Sequence, residues 1–321
     1  YVNSMVREIS VDNDGKANGI IYINKEDNKE YKINAKVVVL AASACESARI
    51  LLNSKSKYHE NGIGNSSNMV GKYLHDSTGT NNMAFIPDLM NRKTYNEDGM
   101  GNMHLYTPWW LDNKNLDFPR GYHIEVWGGL GAPAYGFGFN YNSLNKYFGI
   151  EIGGYGDRVR EEVKKYYGST IGFSTRGEAV PNKNNYCEID PEKKDKYGIP
   201  VLRFNYKWSD YERKQAKHMN ETVEKIVHNI GGHMLWKNEG PDHGLINPGG
   251  IIHEVGTTRM GNDPKTSVVN EYEQLHDAKN VFIVDGGPFV SQADKNPTWT
   301  IMALSWRTSE YIIDELKKQN I

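Results

Sequence analysis

Residues 280–287 constrain this chain more than any other stretch. They run Asn280-Val281-Phe282-Ile283-Val284-Asp285-Gly286-Gly287, a continuous apolar strand closed by an acid and two glycines. A strand without a polar face is buried on both sides, as in a parallel sheet. An acid at such a strand end can accept from a ribose or ribitol hydroxyl, and glycines let backbone N–H groups approach a phosphate or a ring. Asn296-Pro297-Thr298 then opens a helix that runs to about Lys317. Asn is a strong N-cap and Pro is pre-organised for the first helical position. Ile301, Leu304, Ile312 and Leu316 supply the apolar face. A plain strand–loop–helix with good caps accounts for the same segment.

A second unit of this kind lies near the start. Residues 37–42, VVVLAA, form a buried strand, and SACESARILLNS follows at once as a helix with Ser43 as its cap. Before it, MVREISVD, GIIYIN and the strand beginning YKIN read as a three-stranded meander, with turns at Asn13-Asp14-Gly15-Lys16 and Glu26-Asp27-Asn28-Lys29. Residues 53–76 are rich in Asn, Ser and Gly and end in VGKYLHD. From 77 to about 245 the pattern changes: strands such as GYHIEVWGG and RGEAV mix with long polar loops. A helix over roughly 208–230 opens at Ser209-Asp210 with Ala216, Met219, Val223, Ile226 and Ile230 at helical spacing. The expected fold is therefore α/β, with 1–76 and 246–321 forming one domain and 77–245 an inserted α+β domain.

Composition removes several classes of function. Lys+Arg is 38 against 40 Asp+Glu, a net charge of -2, which argues against a nucleic-acid binder and a polybasic membrane-surface protein. VVVLAA, the strongest apolar run, is far below the ~20 residues a spanning helix needs. Two cysteines, Cys45 and Cys187, exclude a disulfide scaffold and a Cys-rich metal site. Cys45 at a helix N-terminus is placed to favour a thiolate, although packing is the simpler role. His75-Asp76, His243 and His276-Asp277 match no metal-ligand spacing. Trp109, Trp110, Trp127 and the Tyr-rich stretch 135–147 could stack on sugar rings, but core and surface packing explains them as well. Gly129-Leu130-Gly131-Ala132-Pro133-Ala134 mimics a dinucleotide turn, yet Pro133 and the lack of a following helix pattern argue for chance.

The remaining distinctive stretch is His253-Glu254-Val255-Gly256-Thr257-Thr258-Arg259-Met260-Gly261. It is not HExxH, because residue 257 is Thr, and its glycines suggest a loop packed against a ligand.

HEVGTTRMG, then SVVNEYEQLHDAKNVFIVDGGPFV, then KNPTWTIMALSWRTSEYI resembles the C-terminal signature of the glucose–methanol–choline (GMC) flavoprotein oxidoreductases. VVVLAASACESARILLNS followed by GIGNSSNMVGKYLHD resembles that family's middle FAD-contacting region. The resemblance covers 1–76 and 246–321 and is similar above all to bacterial sugar and glycoside dehydrogenases and pyranose oxidases. It implies FAD as cofactor and a Rossmann-like FAD-binding domain that lacks its N-terminal βαβ unit. It also implies oxidation of a sugar or glycoside hydroxyl, with hydride passing to flavin N5 and a proton to a base. His253 matches the family's catalytic His, and Asn296 stands where the family has His or Asn. Asp285 and Gly286 match its flavin-proximal and ribitol contacts. Pro297 and Thr298 open the helix whose positive end would face the flavin. Val6 sits where relatives meet the adenine. Ala41 and Ala42 stand at a strand end where relatives often carry Gly.

The family's G-x-G-x-x-G turn has no counterpart, and the chain opens on Tyr1 in a strand, so it reads as a fragment or a processed chain. Expected partners are the substrate, an electron acceptor (quinone, cytochrome or O2), and a small subunit or the missing N-terminal segment. A soluble bacterial cytoplasmic or periplasmic location is expected. Two alternatives stay open: a non-catalytic carbohydrate-binding fragment of the same fold, and an oxidase using O2.

Overall fold

A computed structural model describes residues 1–91, 105–108, 115–128, 156–166, 168–235 and 237–321. Trp109, Trp110, the 129–134 mimic and the stretch 135–147 lie outside the described residues. In chain order the elements begin with β1 (Ser4–Val11), β2 (Ala17–Asn24), β3 (Glu30–Asn34), β4 (Val38–Leu40) and α1 (Ala44–Asn53). β5 (Asn81–Phe85), β6 (Leu105–Pro108), β7 (Tyr122–Gly128), α2 (Asp157–Tyr166) and β8 (Thr170–Gly177) follow. Then come β9 (Tyr186–Lys194), β10 (Pro200–Asn205), α3 (Asp210–Asn229), β11 (His233–Met234), β12 (Val281–Ile283) and α4 (Thr298–Lys317).

The chain divides into two compact units, the first made of Tyr1–Ser77, Ala179–Lys207 and Ile251–Ile321, the second of Thr78–Glu178 and Trp208–Gly250. Residues 179–207, read from sequence as part of the middle segment, thus belong with the terminal segments. The reason is in the contacts of α1. Arg49 donates to Pro200 O at 2.8 Å and Ile199 O at 3.1 Å and pairs with Asp195 at 2.7 Å, while Cys187 enters the same apolar core as Leu51 and Ile63.

In the first unit β1, β2 and β3 form the expected antiparallel meander, and β9 pairs with β10. β4 pairs in parallel with β12, Val38 opposite Val281 and Leu40 opposite Ile283. Val38 and Leu40 are buried, but Val39 is 48% exposed, so β4 is not covered on both faces as its apolar run predicts. Three residues alternate sides, and the neighbouring elements cover one of them. Ser43 is the cap residue of α1 but makes no side-chain cap bond.

The final helix, α4, rests on 272–273 through one side. Tyr311 stacks on Tyr272 at 4.1 Å, and Thr308, the one fully buried residue of the helix, donates to Glu273 at 2.7 Å. Ile301, Leu304 and Ile312 are half-buried, whereas Leu316 is exposed, and so are Trp299, Met302 and Trp306 on another stripe. Among the described residues no helix is long and apolar enough to cross a membrane.

Among the described residues the second unit holds a five-stranded antiparallel sheet in the order β11-β5-β8-β7-β6. Alternation along β7 sends Tyr122, Ile124 and Val126 into a core with Met219, Val223 and Val227 of α3. The RG of RGEAV is the end of β8, and the rest of that stretch is not strand. α3 begins with a full capping box: Ser209 Oγ accepts from Tyr211 N, and Ser209 N donates to Glu212 at 2.7 Å. Such a cap contributes about 1 kcal/mol.

Candidate active site

The HEVGTTRMG and DGGPF stretches run side by side. Gly256 N donates to Gly286 O at 3.1 Å, Thr258 N to Gly287 O at 2.9 Å, and Met260 N to Pro288 O at 2.8 Å. This pairing explains two glycines. A Cβ on Gly287 would lie 2.3 Å from Thr258 Oγ1. Gly256 has φ +96°, and a Cβ there would lie 2.3 Å from Tyr73 O. On its other side Val255 exchanges both backbone hydrogen bonds with His75, at 2.9 and 3.1 Å. The motif is therefore clamped between the 73–75 and 286–288 segments, and His253 emerges two residues before the clamp.

Asp76, 1% exposed, fixes the backbone at that point. Its Oδ1 accepts from His253 N at 3.0 Å and Ser77 N at 2.7 Å, and its Oδ2 accepts from Ile251 N at 3.2 Å. Tyr206 Oη accepts from Asp76 N at 3.0 Å. The His253 ring is half-buried. Its Nδ1 lies 3.3 Å from Ser77 Oγ and its Nε2 lies 3.3 Å from the Asn296 amide nitrogen. Imidazole and carboxamide, 43 positions apart, thus converge, and the exposed Asn296 leaves their meeting point open. Burial pushes the neighbouring Glu254 carboxyl up, Asp76 adding to the effect and His253 opposing it.

Asn296 does not cap α4. Pro297 occupies the cap position with φ −78° and ψ −15°, and no side chain caps the helix. The carboxamide turns to His253 instead. Pro297 and Thr298 follow directly, so these four predicted residues form one group.

A second group lies at the carboxyl ends of β4 and β12, where parallel sheets hold their ligands. Ala41 is exposed, Ala42 is half-buried, and Val284 N donates to Leu40 O at 2.8 Å. Asp285, 6% exposed, turns inward: it accepts from Ser47 Oγ at 2.5 Å, from Gly287 N at 2.8 Å and from Ala42 N. Burial raises its pKa against those donors. Its carboxylate ties the two strand ends together. Val6, on β1 opposite Tyr22, is half-buried against the core that contains Val38 and Leu40. Cys45 is no thiolate: hydrogen bonding with the Cys187 thiol and burial push its pKa up.

Sequence reasoning missed Ser77, Tyr206 and Gln292, and it placed Asp76 at the end of a family-like stretch without assigning it a role. Gln292, 3% exposed, donates to Ser77 Oγ at 3.0 Å. The available signal was that Asp76 ends the family-like VGKYLHD stretch and Ser77 follows it directly. Replacing Asp76 by Asn leaves one oxygen to accept and turns an NH2 toward Ile251 N. The expected cost is about 1–2 kcal/mol, read as a lower urea midpoint at unchanged m-value.

Residues 181–305 match the family model described as GMC oxidoreductase. The chain is 32% identical over 97% of its length to a 2-methyl-1,2-propanediol dehydrogenase of Mycolicibacterium austroafricanum, covering 53% of that protein. It is 26% identical over 98% of its length to the fructose dehydrogenase large subunit of Gluconobacter japonicus, covering 54% of it. The chain thus spans about half the length of the curated relatives it matches. In fold it is similar to a formate oxidase of Aspergillus oryzae RIB40, with a TM-score of 0.61 at 13% identity over 98% of this chain and 60% of that one. His253, Asp285 and Asn296 all lie in the segment that the family model matches, and it is through this segment that the chain is similar to the GMC oxidoreductases.

Proposed function

We propose that the protein oxidises a secondary hydroxyl of a sugar, glycoside or related polyol, with His253 as base, Asn296 as substrate-orienting group and FAD as cofactor. The carrying observation is the 3.3 Å approach of the Asn296 amide to His253 Nε2 over an exposed opening. An imidazole can hold or release a proton near neutral pH, whereas a carboxamide can only donate and accept hydrogen bonds. His253 Nε2 takes the hydroxyl proton while the Asn296 amide holds the substrate oxygen in place.

The surroundings fit a flavin at this end. The first helical bond of α4 is Ile301 N to Pro297 O, and no side chain caps the helix, so the N–H groups of its first turn are available beside Asn296. Those donors and the positive helix end would hold the negative charge of a reduced ring. When bound, FAD supplies the two-electron acceptor for the hydride leaving the carbinol carbon. Ala41, Ala42, Gly286 and Val6 would line the remainder of the cofactor. At 285–286 the contact falls to the backbone, because the Asp285 carboxylate is already satisfied.

On this reading the first unit is the FAD-binding part and the second the substrate-binding part. The names of the two relatives above favour a dehydrogenase over an oxidase using O2. The test is to purify the protein as the full native chain and record its flavin spectrum under anaerobic addition of fructose, glycosides and 1,2-diols. Bleaching of the flavin band, with dye reduction exceeding peroxide formation in air, is the expected result. A flavin-free protein that binds sugars without redox change would replace this reading with the carbohydrate-binding one.

A further inference from the structure

Gln292 has an unusual placement for a buried amide. Its Nε2 lies 3.0 Å from Ser77 Oγ and within 3.5 Å of the Lys295 carbonyl, while its Oε1 is buried without a partner. A carbonyl can only accept, so the nitrogen is the atom facing it, and Gln292 therefore donates to Ser77. An orphaned buried oxygen is costly and calls for an explanation. The explanation is at Ser77, which is 1% exposed and lies 3.3 Å from His253 Nδ1.

A hydroxyl has one hydrogen and two lone pairs. The bond from Gln292 takes one lone pair and anchors the oxygen, but it leaves the hydrogen free to swing. Facing Nδ1 are then both a donor and an acceptor.

We propose that Ser77, anchored by Gln292, is a positioning residue for His253 whose hydroxyl reverses its hydrogen bond as the neutral ring changes tautomer and holds Nδ1–H once the ring is charged. With the hydrogen turned toward Nδ1, the neutral ring carries its own proton on Nε2. With the hydrogen turned away, Ser77 accepts from Nδ1–H, and the lone pair moves to Nε2, the nitrogen beside Asn296. After proton capture the imidazolium keeps Nδ1–H on Ser77, now as a charge-assisted and stronger bond. An amide or a carboxylate in place of Ser77 would serve one direction better than the other. The inference rests on His253 being the base, and it adds what sets that base's state. Among the described residues the charged groups near it include Asp76, which holds the His253 backbone, Glu254, its chain neighbour, and the Asp294–Lys295 pair that precedes Asn296.

The test uses the full native protein with 15N-labelled histidine, the His253 signal being assigned by its loss in His253→Gln. Ser77→Ala is expected to lower the His253 titration midpoint by about half to one pH unit, the difference between its hydrogen bond to the charged ring and that to the neutral one. Ser77→Thr, which keeps the hydroxyl, is expected to bring the midpoint back. In turnover, Ser77→Ala is expected to lower kcat about tenfold with little change in KM and to move the acid limb of kcat by the same interval. An unmoved titration in Ser77→Ala, or a Thr variant shifted as far as Ala, overturns the inference. The titration needs neither flavin nor turnover. A shifted midpoint in a protein that oxidises nothing would therefore uphold Ser77 and sink the oxidoreductase reading, and active protein with an unmoved midpoint would do the reverse.

Discussion

Replacing His253 by alanine will leave the protein folded and lower the rate of substrate-dependent flavin reduction by about 10²-fold or more, the usual range for loss of a general base. The fold survives because the surrounding structure holds residue 253 by its backbone: His253 N bonds to Asp76 Oδ1, and the following Val255–Gly256 pair is clamped by His75 and Gly286. None of those bonds uses the imidazole. On the proposed reading the rate falls because Asn296, the described side chain that meets the His253 ring at Nε2, cannot titrate and so cannot take the hydroxyl proton in its place. Stopped-flow reduction under anaerobic conditions measures this directly. Reduction at a near wild-type rate would remove His253 from the chemistry. Asn296→Ala should act differently, raising KM along with the loss in kcat, since on the proposed reading it removes a group that holds substrate in both ground and transition states.

What the sequence disclosed follows from how local each feature is. The meander, the parallel strand at 38–40, the α1 helix and the capped helix at 210–229 are written in neighbouring residues, and periodicity plus turn chemistry was enough to read them. The pairing of His253 with Asn296 came from family-like motifs, and the geometry accords with it. Asn296 as an N-cap was a local reading that failed because the helix starts one residue later, with Pro297 at the cap position. Residues 179–207 were misassigned because a polar hairpin carries no mark of what it packs against; its allegiance is set by Arg49, some 150 positions away. Ser77 and Gln292 were invisible for a related reason. They are 215 positions apart, and each is unremarkable in its own stretch. Their meaning appears only when three loops place an amide, a hydroxyl and an imidazole in a row.

The largest expected effect on stability comes from Glu273. This residue is fully buried, its Oε2 accepts from Thr308 of α4 at 2.7 Å, and its Oε1 has no partner. Burial pushes its carboxyl up to about 7, with Asp285 adding to the rise and Thr308 and Arg307 opposing it. In the unfolded chain a glutamate titrates near the ordinary value of 4.5. Between those two values the folded protein holds a proton that the unfolded chain has lost, so this group favours folding fully below pH 4.5 and loses that contribution as pH rises through 7. The full swing corresponds to about 3 kcal/mol. Glu273→Gln keeps an acceptor for Thr308 but cannot ionise. Urea unfolding of both proteins at pH 5 and pH 8 should show the wild type losing stability across that interval relative to the variant, with the variant the more stable at pH 8. Parallel curves for the two proteins would mean that water or a neighbouring cation already meets the charge. A steeper loss in the variant would mean that the buried form is the carboxylate. The expected sign follows from the packing: α4 brings Thr308 onto one carboxyl oxygen, and the other is buried with no hydrogen-bond partner.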